Sequence, residues 1–235
     1  MSYTSASIAL HGPTLTLRLP EPGDAPALFA LASDPDVTRW FSWGPYAEIG
    51  QAEAYIERLA GQRERGEQLD FLIVHRGEGA AGITGQSEFS VRDHRAIVGT
   101  WFGRRFWGTG ANRESKALVA HLAFAVLGLH RLGSYSNPAN ERSTRALLGV
   151  GFRHEGVLRH WHRHGDRHLD VNVFGMLRDL AEALPLVHVI EGLSGAMVDG
   201  TGVADHLSDL AVIGVWAALG TVLAVRGFSW ESRRA

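Results

Sequence analysis

Residues 105–111 read Arg105-Phe106-Trp107-Gly108-Thr109-Gly110-Ala111 and lie between a β-like segment, residues 97–102, and a long helical pattern. Two glycines separated by one residue let the backbone turn tightly and leave no side chain between it and a bound group. The helix that follows presents unpaired N-terminal N–H groups, which attract anions. The stretch therefore predicts a strand–loop–helix unit that cradles an anion such as a pyrophosphate.

This loop differs from two common phosphate-binding loops. In the dinucleotide fingerprint Gly-x-Gly-x-x-Gly the third glycine would fall at Arg113, and no Gly-Lys-Ser/Thr of a Walker loop occurs. Taken alone, Gly-x-Gly also fits an ordinary turn. Its interpretation therefore depends on the rest of the chain.

Downstream of the loop, the pattern predicts one helix over 108–128 with Glu114 in its early turns, where a carboxylate suits the helix dipole. A strand at 131–136, a loop at 137–143 and a second helix ending at Gly151-Phe152 follow. Two more strands, joined by a turn at Gly165-Asp166, complete this half. We expect them at 155–158 and 170–174.

Upstream of the loop, strands are predicted at 14–19, 70–74 and 81–89, with helices from Asp24 and over 49–59. The order is β-α-α-β-β-β-α-β-α-β-β. It predicts an α/β fold with a mixed, mostly antiparallel central sheet flanked by helices.

Composition excludes several function classes. The 235 residues carry a net charge of −2, which gives no electrostatic footprint for nucleic acid, and no cysteine, which excludes disulfides and thiolate metal sites. No signal peptide is recognisable, so a cytoplasmic catalytic domain is expected. Lys116 is the single lysine of the chain.

The series Trp107-Gly108-Thr109-Gly110, Glu114, residues 137–143 (Asn-Pro-Ala-Asn-Glu-Arg-Ser), Gly151-Phe152, Glu155-Gly156 and Asp170 resembles the GNAT acetyltransferases in order and spacing. Within that superfamily it is most similar to the branch that includes the RimJ/RimL ribosomal-protein N-acetyltransferases. The resemblance covers roughly residues 12–180, so residues 1–180 are expected to form a GNAT N-acetyltransferase domain.

The resemblance implies acetyl-CoA as cosubstrate and no metal. The amides of Gly108, Thr109, Gly110 and Ala111 would hold the CoA pyrophosphate, with Arg105 as a charged contact and Arg104 left open between binding and a solvated surface role. The strand that contains Trp101 and Phe102 is expected to splay from the strand at 131–136. Its freed backbone N–H groups would then stabilise the oxyanion.

By the same resemblance, Asn140 would hydrogen-bond the pantetheine arm, although Asn-x-x-Ser is equally good helix-capping chemistry. Many GNAT enzymes place a tyrosine seven residues later as general acid, where this chain has Leu147. Ser143 is the alternative donor to the leaving thiolate.

The general base is expected among groups that titrate near neutral pH. His160, His162 and His164 alternate and so are predicted to share one face of a strand. His162 falls where some relatives carry a glutamate, while Glu88 and Asp170 are rivals. A polar, solvated hairpin is an equal alternative for these histidines, and a metal site is not expected.

The acceptor side is expected at Trp40, Trp43 and Tyr46, together with Phe41, in the connection between the first helices. An aromatic groove there would bind the amine acceptor, either a peptide N-terminus or a small molecule such as a polyamine. Core packing beneath the helices explains the same residues equally well.

Residues 181–235 do not belong to the GNAT pattern. An apolar segment follows residue 185, then a glycine-rich break at 199–202, then a hydrophobic segment at 207–225 in which residues 210–225 carry no charge. At about 1.5 Å per residue those 16 residues span about 24 Å, short of the roughly 30 Å of a bilayer core. The tail resembles the C-terminal end of an ABC-2-type transporter permease.

This helical tail has three interpretations: a membrane anchor, a homodimer helix, or a fusion remnant without a function of its own. The primary hypothesis for the chain is direct acetyl transfer from acetyl-CoA to a primary amine in a ternary complex. The alternative is a membrane-associated CoA-binding protein whose GNAT domain is not catalytic and is fused to a permease remnant.

Overall fold

The computed structural model of the protein describes residues 8–181, 188–190, 192 and 202–227. Within these residues, eight strands form one sheet in the order β1-β2-β3-β4-β5-β6-β8-β7. The strands are β1 (Ala9–His11), β2 (Leu15–Arg18), β3 (Gln68–His75), β4 (Gly79–Ser90), β5 (Arg95–Phe102), β6 (Arg131–Ser136), β7 (Arg153–His164) and β8 (Arg167–Leu177). Neighbours pair antiparallel except β5 and β6, which pair in parallel. The predicted α/β fold with a mixed, mostly antiparallel sheet is therefore confirmed.

The helices connect these strands in the predicted order, with one additional strand, β1, before the predicted first strand and two additional short helices, α2 and α6. They are α1 (Ala25–Ala32), α2 (Pro35–Thr38), α3 (Ile49–Glu64), α4 (Ala111–His121), α5 (Glu141–Leu148), α6 (Arg178–Ala181) and α7 (Leu207–Gly227). The single helix predicted over 108–128 is wrong in extent. The backbone is left-handed at Gly108 and Gly110, so α4 begins only at Ala111, and the α-helix passes at Leu122 into a π-helical turn.

Apolar side chains cover both faces of the sheet. Phe71 and Leu118 belong to a large buried cluster between the sheet and α4. Leu72 belongs with Leu28 and Ile56 to a smaller cluster under α1 and α3. Adjacent residues of β3 lie in different clusters because successive side chains of a strand point to opposite faces.

Glu114 connects the N-terminal strand to α4. Its carboxylate accepts hydrogen bonds from the backbone N–H of Thr14 at 2.7 Å, from the Thr14 hydroxyl at 2.5 Å and from the backbone N–H of Leu15 at 2.8 Å. A Cβ at Gly12 would overlap this carboxylate, so the close approach requires glycine there. The predicted dipole role describes only part of what Glu114 does.

Lys116 is buried beneath the sheet, with an exposed fraction of 5%. Its Nζ donates to Thr100 Oγ1, which lies 2.7 Å from Thr84 Oγ1. Burial lowers the pKa of Lys116 to about 7. The charged and neutral forms of this lysine are therefore about equally populated near pH 7.

The tail contains the predicted hydrophobic helix, α7. Before it, Ile190 is fully buried in the large cluster, and His188 Nδ1 lies 2.7 Å from Asp209 Oδ1. Burial opposes ionisation of Asp209, but its hydrogen bonds with His188 and His206 outweigh that effect and lower its pKa. The predicted apolar segment after residue 185 and the break at 199–202 lie mostly outside the described residues. Within the described part of the chain, no helix combines the length and apolarity needed to cross a bilayer.

We expect Glu114→Ala to lower the free energy of unfolding by about 1–3 kcal/mol, because three hydrogen bonds to a charged acceptor disappear and the Leu15 N–H loses its partner. Urea denaturation measures the change. Glu141→Ala is the matched control, since Glu141 forms only an exposed pair with Arg145 at 3.1 Å and should change stability by less than about 0.5 kcal/mol. Equal effects of the two variants would contradict the assigned role of Glu114.

Lys116 should make stability rise with pH. Between its folded pKa of about 7 and its ordinary value of 10.5, the unfolded chain binds a proton that the folded chain lacks, so unfolding becomes less favourable as pH rises. The free energy of unfolding of the wild type should rise relative to that of Lys116→Met by about 1 kcal/mol per pH unit from pH 7.5 to 9.5. A difference that stays constant over this range would contradict a neutral buried lysine.

Candidate active site

A cavity of about 820 Å³ opens at the N-terminal end of α4. The glycine loop, β5, β6, the start of α5 and the β7–β8 hairpin all contribute to it. Many of the residues singled out from the sequence line this cavity, among them Trp40, Trp43, Trp101, Phe102, Gly108, Thr109, Gly110, Asn140, Ser143 and His162. The fold thus brings together these ten residues, which are up to 122 positions apart in the chain.

The glycine loop has the backbone geometry that the sequence predicts. Gly108 and Gly110 have φ values of 78° and 94°, and a Cβ built on either would meet nothing within 4 Å. The Thr109 hydroxyl donates to the Phe106 carbonyl oxygen at 2.9 Å and so closes the turn. The loop therefore presents backbone, with open space in front of it, at the positive end of α4.

The cationic groups at the cavity differ from those expected. Arg105 lies outside it, because its guanidinium donates to the Glu78 carbonyl oxygen at 2.7 Å. Arg104 is held by Asp34 and Asp36. Arg113, Arg142, Arg145 and Lys116 line the cavity instead. Arg113 lies two residues after the glycine loop and Arg142 lies within the 137–143 motif, and these positions are the signal by which the sequence points to them.

The parallel strands β5 and β6 separate beside the cavity, as predicted. They pair only over Arg95–Ile97 and Arg131–Gly133. At the next position the Ser134 hydroxyl donates to the Val98 carbonyl oxygen at 2.9 Å in place of a backbone pair. Beyond that point residues 99–101 line the cavity.

Asn140 and Ser143 stand at the start of α5. Asn140 is the N-cap residue, and its side-chain oxygen accepts a hydrogen bond from the Ser143 N–H at 3.2 Å. The capping interpretation of Asn140 is therefore confirmed, while its contact with a pantetheine arm stays a prediction. Both residues line the 820 Å³ cavity.

The histidine hairpin does not keep the regular alternation that the sequence predicts. A β-bulge between Leu158 and His162, with His160 at a φ of 51°, interrupts the pairing of β7 with β8. His162 and His164 line the cavity and His160 does not. The prediction that all three share one face is therefore wrong, because the bulge inserts an unpaired stretch.

His162 packs edge-on against Tyr135, with 5.7 Å between ring centroids. Burial lowers the pKa of His162, and repulsion by His164 lowers it further, which favours a neutral imidazole at pH 7. Asp170 lines the same cavity and accepts a hydrogen bond from the His160 N–H at 2.8 Å. Glu88 is exposed and lines neither this cavity nor the smaller cavity on the other side of the sheet.

A second, smaller cavity of about 410 Å³ lies on the α1–α3 side of the sheet. Its walls include three of the predicted aromatic residues, Phe41, Trp43 and Tyr46, whereas Trp40 lines the larger cavity. Trp43 lies 5.1 Å from Phe41, 5.5 Å from Tyr46 and 5.6 Å from Trp101, measured between ring centroids. Trp43 and Trp101 line both cavities, so the two meet at these rings.

Asp70 lies in this smaller cavity, and sequence reasoning missed it. The residue is 9% exposed, and its carboxylate accepts hydrogen bonds from the Tyr55 hydroxyl at 2.5 Å and from Gln68 Nε2 at 2.7 Å. Burial raises the pKa of Asp70. The sequence signal that could have identified it is an aspartate flanked by apolar residues at the start of a predicted strand, Leu69-Asp70-Phe71-Leu72-Ile73-Val74.

No group of three or more metal-ligating side chains occurs among the described residues. The arrangement provides an anion-binding loop, a gap between parallel strands and a separate aromatic cavity that meets this gap. Such a site fits a long phosphate-bearing molecule that delivers a group to a second molecule.

Comparison with known proteins identifies the family. The family profile described as "Acetyltransferase (GNAT) domain" matches residues 14–153. The chain is 30% identical over 170 residues to the N-acetyltransferase p20 of Bacillus licheniformis, itself uncharacterized, covering 72% of this chain and 96% of the relative.

Two solved structures share the fold. One is a GCN5-related N-acetyltransferase from Brucella melitensis, with a TM-score of 0.70 at 22% identity, covering 80% of this chain and 86% of that one. The other is spermidine N-acetyltransferase from Vibrio cholerae in complex with CoA and spermine, with a TM-score of 0.63 at 19% identity, covering 72% of this chain and 99% of that one. The profile match ends before the tail, so the predicted boundary at residue 180 and the permease resemblance stay predictions.

Because the glycine loop, the strand gap and the profile over residues 14–153 agree, this chain belongs to the GNAT family and is an acetyltransferase that uses acetyl-CoA as its cosubstrate.

Proposed function

We propose that the protein transfers the acetyl group of acetyl-CoA directly to a primary amine bound in a ternary complex. The observation that carries the proposal is the contact between the two cavities at Trp43 and Trp101. A donor in the larger cavity and an acceptor in the smaller one would meet beside the open edge of β5. Transfer would then need no covalent enzyme intermediate.

The donor site rests on the loop and the strand gap. Gly108, Thr109 and Gly110 would bind the pyrophosphate through backbone N–H groups, with Arg113 adding charge. The pantetheine arm would follow the gap between β5 and β6 past Asn140. Backbone N–H groups near Trp101 and Phe102 would stabilise the oxyanion, because that part of β5 no longer pairs with β6.

Ser143 and His162 are our candidates for proton transfer on the donor side. Asp170, the rival base from the sequence, lines the same cavity, and its carboxylate accepts the hydrogen bond of the His160 N–H. Ser143 lines the larger cavity at the first turn of α5 and would donate a proton to the leaving thiolate. His162, kept neutral by its surroundings, is able to accept a proton in the same cavity. Glu88 would act only through its charge on His162, because it lines neither cavity.

The acceptor is either a peptide N-terminus or a small amine. The RimJ/RimL-like interpretation favours the peptide, whereas the spermidine N-acetyltransferase with the same fold acts on a polyamine. The non-catalytic, membrane-associated alternative is not favoured, since relatives of the chain are N-acetyltransferases and the two adjoining cavities suit a donor and an acceptor. Dimerisation or membrane association through α7 is a separate hypothesis. It rests on the exposed side chains of Leu210, Val215 and Leu219.

Thiol release from acetyl-CoA, followed with a chromogenic disulfide reagent, tests the proposal. The acceptors are butylamine, 1,4-diaminobutane and peptides that begin with serine or alanine. We expect release above the acceptor-free rate with at least one of them. No release with any acceptor, while acetyl-CoA is bound, would contradict the proposed function.

Gly108→Asp should raise the Kd for CoA by at least about 10-fold, because a carboxylate would face the pyrophosphate at a left-handed position. Titration calorimetry measures the Kd. Gly66→Asp is the matched control: Gly66 also has a positive φ, 68°, with open space around its Cβ, but it lies at the end of α3. If Gly108→Asp binds CoA as tightly as this control, the loop is not the pyrophosphate site.

Ser143→Ala should lower kcat about 10- to 1000-fold, because the leaving thiolate would lose its proton donor, while the Kd for CoA stays within about two-fold. Steady-state thiol release and calorimetry supply the two numbers. Ser33→Ala is the control, since the Ser33 hydroxyl donates only to the Phe29 carbonyl oxygen at the end of α1. An unchanged kcat in Ser143→Ala would exclude the assigned role.

A further inference from the structure

We infer that the smaller cavity binds a small primary amine as its ammonium ion, and that the Asp70 carboxylate both holds this ammonium and takes its proton. The inference rests on the proposed acetyl transfer and names the acceptor class and the base for that same site. Asp70 would then act as the general base in place of His162, and it is not among the residues that the sequence predicts for that role.

The sheet directs the Asp70 carboxylate toward the gap between β5 and β6. Asp70, Gly85 and Gly99 lie directly opposite one another on β3, β4 and β5, so they face the same side of the sheet. A Cβ on Gly85 would overlap Asp70 Oδ1, which shows that the carboxylate leans across β4. Strands are spaced about 4.8 Å apart, so Oδ1 lies about one strand spacing from β5.

Gly99 leaves the path from Asp70 to the donor open. A Cβ at this position would meet nothing within 4 Å, and Gly99 lines both cavities. It is also among the first residues of β5 beyond its pairing with β6. A nitrogen placed over Gly99 would therefore lie between the carboxylate and the backbone groups assigned to the oxyanion.

The carboxylate lacks a counter-charge among the described residues. Both of its side-chain hydrogen bonds, from Tyr55 and Gln68, go to Oδ2, and both donors are neutral. Arg58 also lines the cavity, but it is exposed and lies over the Tyr55 ring, 6.0 Å from its centroid. An ammonium at Oδ1 would supply the charge that a buried carboxylate requires.

The walls of the cavity suit an alkylammonium. Trp43, Tyr46 and Trp101 present aromatic rings, which attract cations and pack against alkyl chains. A volume of about 410 Å³ is in the range of small-molecule sites and places the carboxylate at depth. These features favour a small amine over a protein N-terminus.

The proton transfer balances without any further reactant. An N–H bond of the ammonium breaks as an O–H bond forms on Asp70, and the raised pKa of this buried carboxyl favours the transfer. The freed lone pair then forms the N–C bond to the thioester carbonyl carbon. The nitrogen then carries one more proton than the amide product. This proton would pass to the Ser143 oxygen as the Ser143 hydroxyl gives its own proton to the sulfur, so that the C–S bond breaks to give the amide and the CoA thiol. Asp70 afterwards releases its proton to solvent.

Asp70→Asn tests the inference, because it removes the charge and keeps the size of the side chain. With butylamine as acceptor we expect kcat to fall at least about 100-fold. The Kd of butylamine for the CoA-loaded enzyme should rise at least about 10-fold. The Kd for CoA should stay within about two-fold of wild type, which also shows that the variant is folded. If kcat or the butylamine Kd remains at its wild-type value, the inference is wrong.

Three further measurements make the test independent of the folding of one variant. Asp93→Asn removes an exposed carboxylate of the β4–β5 turn that pairs with Arg92 and Arg95, and it should behave as wild type. Ser87→Leu narrows the smaller cavity and should raise the KM for butylamine at least about 10-fold. Wild-type enzyme should bind butylamine at least about 10-fold more tightly than butanol, and equal binding would overturn the inference.

The failure of this inference is distinguishable from failure of the proposed function. Thiol release with the peptides but not with butylamine or 1,4-diaminobutane would overturn the small-amine assignment and leave acetyl transfer intact. Bound acetyl-CoA without release to any acceptor would overturn both.

Discussion

The parallel pairing of β5 and β6 is the constraint on which the site depends. Every other neighbouring pair in the sheet is antiparallel, and this one holds for only three residues on each strand. Because the two strands then separate, backbone groups inside the sheet become available to a bound molecule. A continuous ladder would have consumed them, since buried N–H and C=O groups in a sheet normally pair.

The elements around this gap have distinct tasks. The glycine loop and α4 provide a positive helix end on one side, and Glu114 fixes that helix to β2 through Thr14 and Leu15. On the other side of the sheet, α1 and α3 cover the aromatic cavity that contains Asp70. The cavity proposed to bind the donor and the cavity proposed to bind the acceptor therefore adjoin beside the point where β5 and β6 separate.

Two buried ionisable groups lie on opposite faces of this region. Lys116 approaches Thr100 from the α4 side, and Asp70 lies in register with Gly99 from the α3 side. Burial favours the neutral form of each group, because it lowers the pKa of Lys116 and raises the pKa of Asp70. Neither shift is visible in the sequence, because it depends on what the fold packs around each group.

The sequence determined the order of the elements and the position of the glycine loop. These follow from local patterns, namely hydrophobic periodicity and Gly-x-Gly spacing, whereas the gap between β5 and β6 was expected only from the resemblance to the GNAT acetyltransferases. The sequence also located the aromatic segment Trp40–Tyr46, although it left core packing as an equal alternative. Boundaries shifted where backbone conformation intervened, as at the π-helical turn after His121 and the bulge near His160.

Only the tertiary structure decided which side chains face one another across strands. It turned Arg105 toward Glu78, brought Arg113 and Arg142 to the cavity, and aligned Asp70 with two glycines on neighbouring strands. Periodicity states which face of its own element a residue occupies. The register between strands, and therefore the partner across the gap, is set by long-range packing that no local pattern contains.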